Sequence, residues 1–263
     1  MILAALSLTQ REIVRFLRQR SRVVGALAPP LLFWFLIGSG LGESFRPAGA
    51  TTATSSMQFL FPGTLLLIML FTAIFSTISV IEDRREGFLQ SVLVAPGSRS
   101  GLVLGKILGG TVLALVQVLL VLAIGALFVQ DTTWSSFLMS ALVLFVVGFG
   151  FTGLGFLLAW RLDSTQGFHA IMNLLLMPMW ILSGALFPAN GAPAWLRFVM
   201  TVNPMSHALE ALRQTIAAGS GAMAAGALMT SITLPLVVSI AFALAMLGAG
   251  LWLVQVPRGG QLS

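Results

Sequence analysis

Apolar and polar residues follow each other along this chain in long blocks. One charged stretch, Glu82 to Lys106, holds seven of the 22 charged residues, and uncharged runs of more than twenty residues flank it on both sides. A bilayer core about 30 Å thick is crossed by a helix of about 20 apolar residues. The pattern therefore predicts an all-α integral membrane protein with six transmembrane helices. We place these spans at about 23–41, 57–81, 101–129, 136–160, 167–187 and 228–254.

Residues 1–22, before the first span, have the spacing of an amphipathic helix. We predict that this helix lies along the cytoplasmic membrane surface. The same pattern fits a solvated positive flank that only fixes the topology. The basic stripe consists of Arg11, Arg15, Arg18 and Arg22, and the apolar stripe of Ile13, Phe16 and Leu17.

Residues 82–96 form a second short amphipathic segment. If the segment is one helix, its apolar side chains form a stripe at helical spacing, and Pro96 ends it. Such a stripe suits a groove on another protein, and it suits packing under the protein's own membrane domain equally well. The stripe consists of Phe88, Leu89, Val92 and Leu93.

Residues 188–213 are interrupted by prolines and amphipathic between them. We predict re-entrant or interfacial helices at the outer face, because irregular backbone at membrane depth has to be buried in protein or line water. Polar residues on one face of this segment suit a gate at the outer end. The preferred explanation is that these polar side chains pair with each other and keep an interfacial helix hydrated. The candidate gate residues are Asn203, Pro204, His207, Glu210 and Arg213.

The composition narrows the possible functions. Hydrophobic residues make up 57% of the chain and charged residues 8%, whereas about a quarter of the residues in a soluble domain are charged. With no cysteine and two histidines, we predict neither a metal site nor a catalytic residue. No nucleic-acid-binding module is recognisable. No ionisable residue falls near the centre of a predicted span, which argues against a channel or an ion-driven carrier.

The basic residues are distributed unevenly between the two sides of the predicted membrane domain. Eleven of the 14 Lys and Arg residues fall on the side of the N-terminus. The positive-inside rule then places both termini in the cytoplasm, with residues 255–263 as a tail. We predict a multi-pass protein of the bacterial inner membrane that contacts anionic membrane lipids.

Two motifs resemble one family of membrane proteins. The stretch Glu82 to Lys106 resembles the signature of type 2 ATP-binding-cassette permeases, the membrane subunits of one class of ABC exporter. A second, distal match comes in the expected order, and only His207 departs from it, where the family has an aromatic residue. The distal match consists of Leu182-Ser183-Gly184, Phe187-Pro188, Pro193, Trp195, Asn203-Pro204-Met205 and Glu210-Ala211-Leu212-Arg213.

The resemblance implies a half-transporter. It implies a second permease copy, identical or similar, and two copies of a separate cytoplasmic ATPase subunit that binds ATP and magnesium. The chain itself is not an ATPase, because Ser100 and Ile107 break the phosphate-loop pattern around Gly105-Lys106. Residues 82–96 would be the coupling helix that takes up ATP-driven movement. Its candidate coupling residues are Glu82, Arg85, Glu86, Gly87, Phe88, Leu89, Val92, Leu93 and Pro96.

The resemblance also implies alternating access along the interface between two permease copies, lined by spans one, two and five. An amphiphilic, lipidic or drug-like substrate is our first expectation, and a polysaccharide or lipo-oligosaccharide is the runner-up. A non-transporting membrane scaffold or assembly factor is an alternative of another class. The methionines of span five could form an adaptable apolar surface, but ordinary helix packing is the preferred explanation for most of them. The candidate path residues are Phe33, Phe71, Met172, Met177, Met179 and Phe187.

Overall fold

The structure, a computed structural model, describes residues 2–18, 20–41, 56–94, 99–125, 133–218, 229 and 231–255. These residues form helices and the turns between them, with no strand in the described ranges. The α-helices are α1 (Ile2–Arg18), α2 (Arg20–Leu41), α3 (Ser56–Ser76), α4 (Ile78–Arg85), α5 (Phe88–Val94), α6 (Arg99–Gly125), α7 (Trp134–Arg161), α8 (Thr165–Trp180), α9 (Ala194–Val202), α10 (Pro204–Ala217) and α11 (Thr233–Gln255).

Five helical segments of the described chain are long and apolar enough to cross a membrane. They correspond to the second to sixth predicted spans. The predicted first span, 23–41, is not among them, because it lies in α2, whose apolar part is only Leu27–Gly40. The five segments are Ser56–Arg85, Arg99–Gly125, Trp134–Arg161, Thr165–Ala185 and Thr233–Gln255.

The centre of the bundle is α3 together with its continuation α4. Of the most apolar part of this segment, 89% is buried, compared with 22% for α11 at the periphery. Large side chains of α3, including Phe61, Leu65 and Ile68, are fully buried between α2, α6 and α7. The core therefore surrounds one helix. The polar groups described below lie near the two ends of that helix.

One turn of π-helix, Ile181–Ala185, extends α8. Within this turn, Gly184 has a φ of +89°. A left-handed backbone conformation of this kind favours glycine, because a Cβ crowds the neighbouring backbone. A Cβ on Gly184 would also lie 2.6 Å from Cε of Met200 in α9. Gly184 thus lets the chain turn away from α8 while α9 packs against the turn.

Helices α9 and α10 form a hairpin that packs back into the bundle. At the hairpin corner, Asn203 accepts a hydrogen bond from the backbone N–H of Met205 (2.9 Å) and donates one from Nδ2 to the carbonyl of Met179 (2.7 Å). Near the other end of α10, the Ser140 hydroxyl donates to Oγ1 of Thr215 (3.0 Å). The hairpin is therefore fixed to α8 at one end and to α7 at the other.

Helix α10 is more deeply buried than its amphipathic sequence predicted. The side chains of His207, Glu210 and Arg213 are all buried. The preferred explanation for this polar face, that it keeps an interfacial helix wet, is therefore wrong. Small residues such as Ala208 and Ala211 let α10 pack closely on both faces. Nε2 of His207 and the Arg213 guanidinium hydrogen-bond backbone carbonyls. Oγ of Ser206 and Nδ1 of His207 are buried without a hydrogen-bond partner among the described residues.

We predict that Gly184→Ala destabilises the fold. The left-handed conformation alone costs an alanine about 1–2 kcal/mol, and the contact with Met200 adds to this. The measurement is the thermal unfolding midpoint of the purified protein in mild detergent. Gly248→Ala in α11 is the control, because a Cβ there meets nothing within 4 Å. Equal midpoints for the two variants would contradict the prediction.

Candidate functional site

The charged connector is a corner between two helices rather than one helix. α4 continues the central helix to Arg85, Gly87 adopts a φ of +75°, and α5 begins at Phe88. The prediction of a single helix over 82–96 is therefore wrong, because a residue in the left-handed conformation interrupts helical hydrogen bonding. Glu82 and Arg85 belong to α4, and Glu86 and Gly87 form the turn. The Leu93 side chain and Pro96 lie outside the described residues.

A buried carboxylate holds the inner side of this corner. Asp83 is 0% exposed, and both of its oxygens accept hydrogen bonds from Arg11 in α1, at 3.0 and 2.8 Å. Arg15, one helical turn further, donates from Nη1 to the same carboxylate at 2.8 Å. The hydrogen bond from Arg11 to Asp83 raises the pKa of Arg11, and the negative charge of Asp83 adds to this effect. Two guanidinium groups of α1 thus converge on one acid of α4.

A lysine from a third helix completes the cluster. Nζ of Lys106, in α6, donates to Glu12 (2.6 Å), to the Ser79 hydroxyl (3.1 Å) and to Asp83. Lys106 and Glu12 are both buried, so each charge depends on the other for compensation. Below, this set is called the ionic cluster, and it consists of Arg11, Glu12, Arg15, Asp83 and Lys106.

The sequence did not predict the ionic cluster. The sequence pattern places Arg11 and Arg15 on a membrane surface, and Lys106 enters it as part of the family signature and as a phosphate-loop lysine whose neighbours do not fit. One signal was available: Lys106, the single lysine of the chain, stands between apolar residues, and Glu12 is the single acid of α1. Buried charges occur in pairs, so a lone cation in an apolar helix indicates a hidden acid.

The opposite side of the corner is fixed to the turn between α7 and α8. Arg84 donates to the carbonyl of Trp160 (2.5 Å), the carbonyl of Leu162 (3.1 Å) and the carboxylate of Asp163 (2.8 Å). Arg85 donates to the backbone carbonyl of Asp163 at 2.8 Å. The end of α4 is thus held from both sides, by α1 and α6 on one and by the α7–α8 turn on the other.

The apolar stripe of α5 packs against the protein itself. Leu89 is buried, Val92 is half-buried, and the guanidinium of Arg11 lies 3.8 Å from the centre of the Phe88 ring. Of the two interpretations left open by the pattern, the structure supports packing under the protein's own domain. Among the α5 residues whose side chains the structure describes, the exposed ones, Gln90 and Ser91, are polar. We call these two residues and the neighbouring Glu86 the polar edge.

Polar groups at the opposite end of the bundle hold the α9–α10 hairpin. Arg213 donates from Nη2 to the carbonyl of Gly184 at 2.9 Å, and its guanidinium lies 4.5 Å from the centre of the Phe59 ring. Gln214 donates to the carboxylate of Glu210 at 2.7 Å. Nε2 of His207 hydrogen-bonds the carbonyl of Thr201, at 2.9 Å. Pro204 occupies the first turn of α10, after the Asn203 cap.

The six candidate path residues do not form one continuous surface. Met172 is fully buried in the core, which excludes it from the outer surface of the subunit. Phe33 contacts Trp180 edge-on at 5.6 Å, and Phe71 lies half-buried beside Phe75 at 5.3 Å. The remaining three vary in exposure: Met177 is exposed, and Met179 and Phe187 are half-buried.

Comparison with known proteins identifies similar sequences over most of the chain. The sequence model of the family described as ABC-2 type transporter matches residues 4–217. A protein of Porphyra purpurea named as a transport permease, ycf38, is 30% identical over 210 residues, which cover 79% of this chain and 72% of the relative. Nodulation protein J of Rhizobium leguminosarum bv. viciae is 26% identical over 204 residues, 74% of each chain.

A shorter match involves a protein of Escherichia coli (strain K12) named as a multidrug ABC transporter permease, YbhR. It is 27% identical over 141 residues, which cover 54% of this chain and 38% of that protein. The ionic cluster, the α4–α5 corner and the hairpin up to Ala217 all lie inside the residues that the family model matches.

We predict that the ionic cluster behaves as a set of coupled charges. Lys106→Met leaves Glu12 buried without its close cation, and breaking a buried ion pair costs about 3–5 kcal/mol. The double variant Glu12→Gln/Lys106→Met removes both charges and should recover part of this loss. The measurement is the unfolding midpoint of each variant in detergent, treated as a double-mutant cycle. Additive effects of the two substitutions would contradict the prediction.

Proposed function

The chain belongs to the ABC-2 type transporter family, and we propose that it is the permease subunit of an ATP-driven exporter. It is a multi-pass membrane protein, with five helical segments suited to spanning in the described residues. The observation that carries the proposal is the α4–α5 corner. It presents a polar edge at one end of the bundle and is held by charges to α1, α6 and the α7–α8 turn.

We propose that α2 is a sixth span and that both termini are cytoplasmic. Trp34 donates to the carbonyl of Met57 at 2.9 Å, and Ser56 donates to the carbonyl of Gly38 at 2.8 Å, so the end of α2 lies beside the start of α3. Helix α1, before α2, contacts Asp83 near the far end of the α3–α4 segment. Helix α2 therefore runs along the full length of α3. The bacterial inner membrane is the proposed location.

We propose that a separate ATP-binding-cassette subunit, in two copies and with ATP and magnesium bound to it, docks at the polar edge. Glu86, Gln90 and Ser91 are exposed there, and Arg85 lies beside them. Movement of this edge is passed to α4 through the Gly87 turn. It reaches α1 by two routes, through Asp83 and through the contact of Arg11 with the Phe88 ring.

We propose that a second permease copy, identical or similar, packs against the exposed apolar faces of α2 and α8. Phe35 and Leu36 in α2 and Leu174 in α8 are large apolar side chains that the subunit leaves uncovered. An amphiphilic, lipidic or drug-like substrate would cross between the copies. The name of the YbhR relative as a multidrug permease supports the drug-like class, over the 54% of this chain that the match covers.

A matched pair of substitutions tests the docking surface. Ser91→Trp places a bulky ring on the polar edge and should reduce the ATPase subunit that co-purifies with the tagged chain at least ten-fold. Ser135→Trp makes the same change at an exposed serine near the start of α7, at the other end of the molecule, and should leave co-purification unchanged. ATPase activity per permease is measured in both preparations. Equal recovery from Ser91→Trp, or no ATPase with the unchanged chain, would contradict the proposal.

Single cysteines test the topology, since the chain has none of its own. Gln10→Cys, Ser91→Cys and Ser135→Cys each introduce one exposed thiol. In right-side-out membrane vesicles, a membrane-impermeant maleimide should label only position 135. Positions 10 and 91 should be labelled only after detergent has opened the vesicles. Labelling of position 10 in intact vesicles would show that α2 does not cross the membrane.

A further inference from the structure

Helix α8 carries polar side chains on its exposed surface. Gln166, His169 and Asn173 are exposed and follow each other at helical spacing, so they lie along one side of the helix. We call these three residues the polar stripe. Asn173 falls near the middle of the 21-residue segment Thr165–Ala185, which is apolar enough to span a membrane. An exposed amide at this depth is unfavourable unless something hydrogen-bonds it.

No residue that the structure describes satisfies this amide. Asn173 hydrogen-bonds none of the residues that the structure describes, in contrast to the buried polar side chains of the core, such as Thr72 and Gln117, which bond each other. The general rule that polar groups at membrane depth are paired or functional applies here. A hydrogen-bond partner for Asn173 therefore comes from beyond the described residues, and a molecule outside the subunit can supply it.

The surroundings of the stripe indicate what contacts it. The ring of His169 lies 5.0 Å from the ring of Phe75 in α3, which in turn lies 5.3 Å from that of Phe71. Both phenylalanines are half-buried, and the contact of Phe75 with His169 places this pair of rings next to the stripe. Aromatic walls with a few convergent hydrogen-bonding groups are typical of small-molecule sites.

Charge complementarity restricts the ligand. From Thr165 to Ala185 the chain has no Asp, Glu, Lys or Arg. Apart from His169, this helix offers an ionised headgroup no ionisable side chain, whereas a neutral hydroxyl or amide would find donors and acceptors in the whole stripe. Beyond Asn173 the same helix exposes Met177 and Ile181, which suit an apolar tail.

A contact between two permease copies explains the stripe less well. The most exposed large apolar side chain of α8 is Leu174, at 77%, and it lies about 100° around the helix from Asn173. A packed interface between copies would centre on that leucine and leave the stripe at its margin, facing the rings of α3. A small ligand between α8 and α3 can contact the stripe and the rings of α3 at the same time.

We propose that the polar stripe and the Phe71–Phe75 rings bind the uncharged, hydroxyl- or amide-bearing headgroup of an amphiphilic substrate. This inference rests on the proposed function, because it assumes that a substrate enters beside α8. It adds to that function a headgroup chemistry and three specificity-determining residues, with the apolar tail directed along Met177 and Ile181.

The test uses the full-length chain together with its co-purified ATPase subunit in lipid nanodiscs. Three photoactivatable probes share one alkyl chain and differ in headgroup: a β-glucoside, a sulfate and a trimethylammonium. The glucoside should label peptides of α8 and α3, saturably, in preference to both charged probes. Asn173→Leu should weaken this labelling about ten-fold, the effect of losing one or two neutral hydrogen bonds, and Asn173→Gln should retain most of it.

Leu142→Ala on the exposed side of α7 is the control and should leave labelling unchanged. Equal labelling by all three probes, or an unaltered Asn173→Leu variant, would overturn the inference and mark α8 as a general lipid contact. Loss of copy–copy cross-linking in Asn173→Leu with intact glucoside labelling would overturn it in favour of a subunit contact. ATPase activity in the same nanodiscs reports on the proposed function separately, so either proposal can fail alone.

Discussion

The arrangement of the inner end of the bundle depends on a single carboxylate without access to water. Asp83 accepts hydrogen bonds from Arg11, Arg15 and Lys106, which come from two other helices. A buried charge of this kind is tolerated only when its partners stay in place. The positions of α1, α4 and α6 are therefore mutually dependent, and a displacement of one of them requires the others to follow or the cluster to break.

The central helix is restrained differently at its two ends. At the inner end, ionic contacts join α4 to α1, α6 and Asp163. Toward the outer end, uncharged hydrogen bonds hold it: Trp180 donates to the carbonyl of Gly63 at 2.8 Å, and Ser56 donates to the carbonyl of Gly38 at 2.8 Å. The attraction between two opposite charges persists when they move apart by several ångströms. A hydrogen bond, in contrast, is lost when its donor and acceptor move apart by about one ångström. The fold thus combines a strongly fixed inner end with an outer end that can rearrange at lower cost.

Much of the fold could be predicted from the sequence, because hydrophobic length is a strong signal in a membrane. Five predicted spans recur as helices, and the two motifs indicated the family. The corner at Gly87 was missed, because amphipathic spacing continues across it and nothing in the pattern reveals a left-handed residue. The burial of Arg213 was missed as well, since its partner is a backbone carbonyl, which carries no sequence signal. The polar stripe was overlooked because its residues are uncharged.

The ionic cluster also has a consequence for biosynthesis. Its contacts join residues 72 and 94 positions apart, Arg11 with Asp83 and Glu12 with Lys106. During translation α1 precedes both partner helices and cannot reach its final position until α6 has left the ribosome. Before that, Lys106 is absent and Glu12 lacks its close cation. The position of α1 is thus settled only after helices that are made later have been inserted.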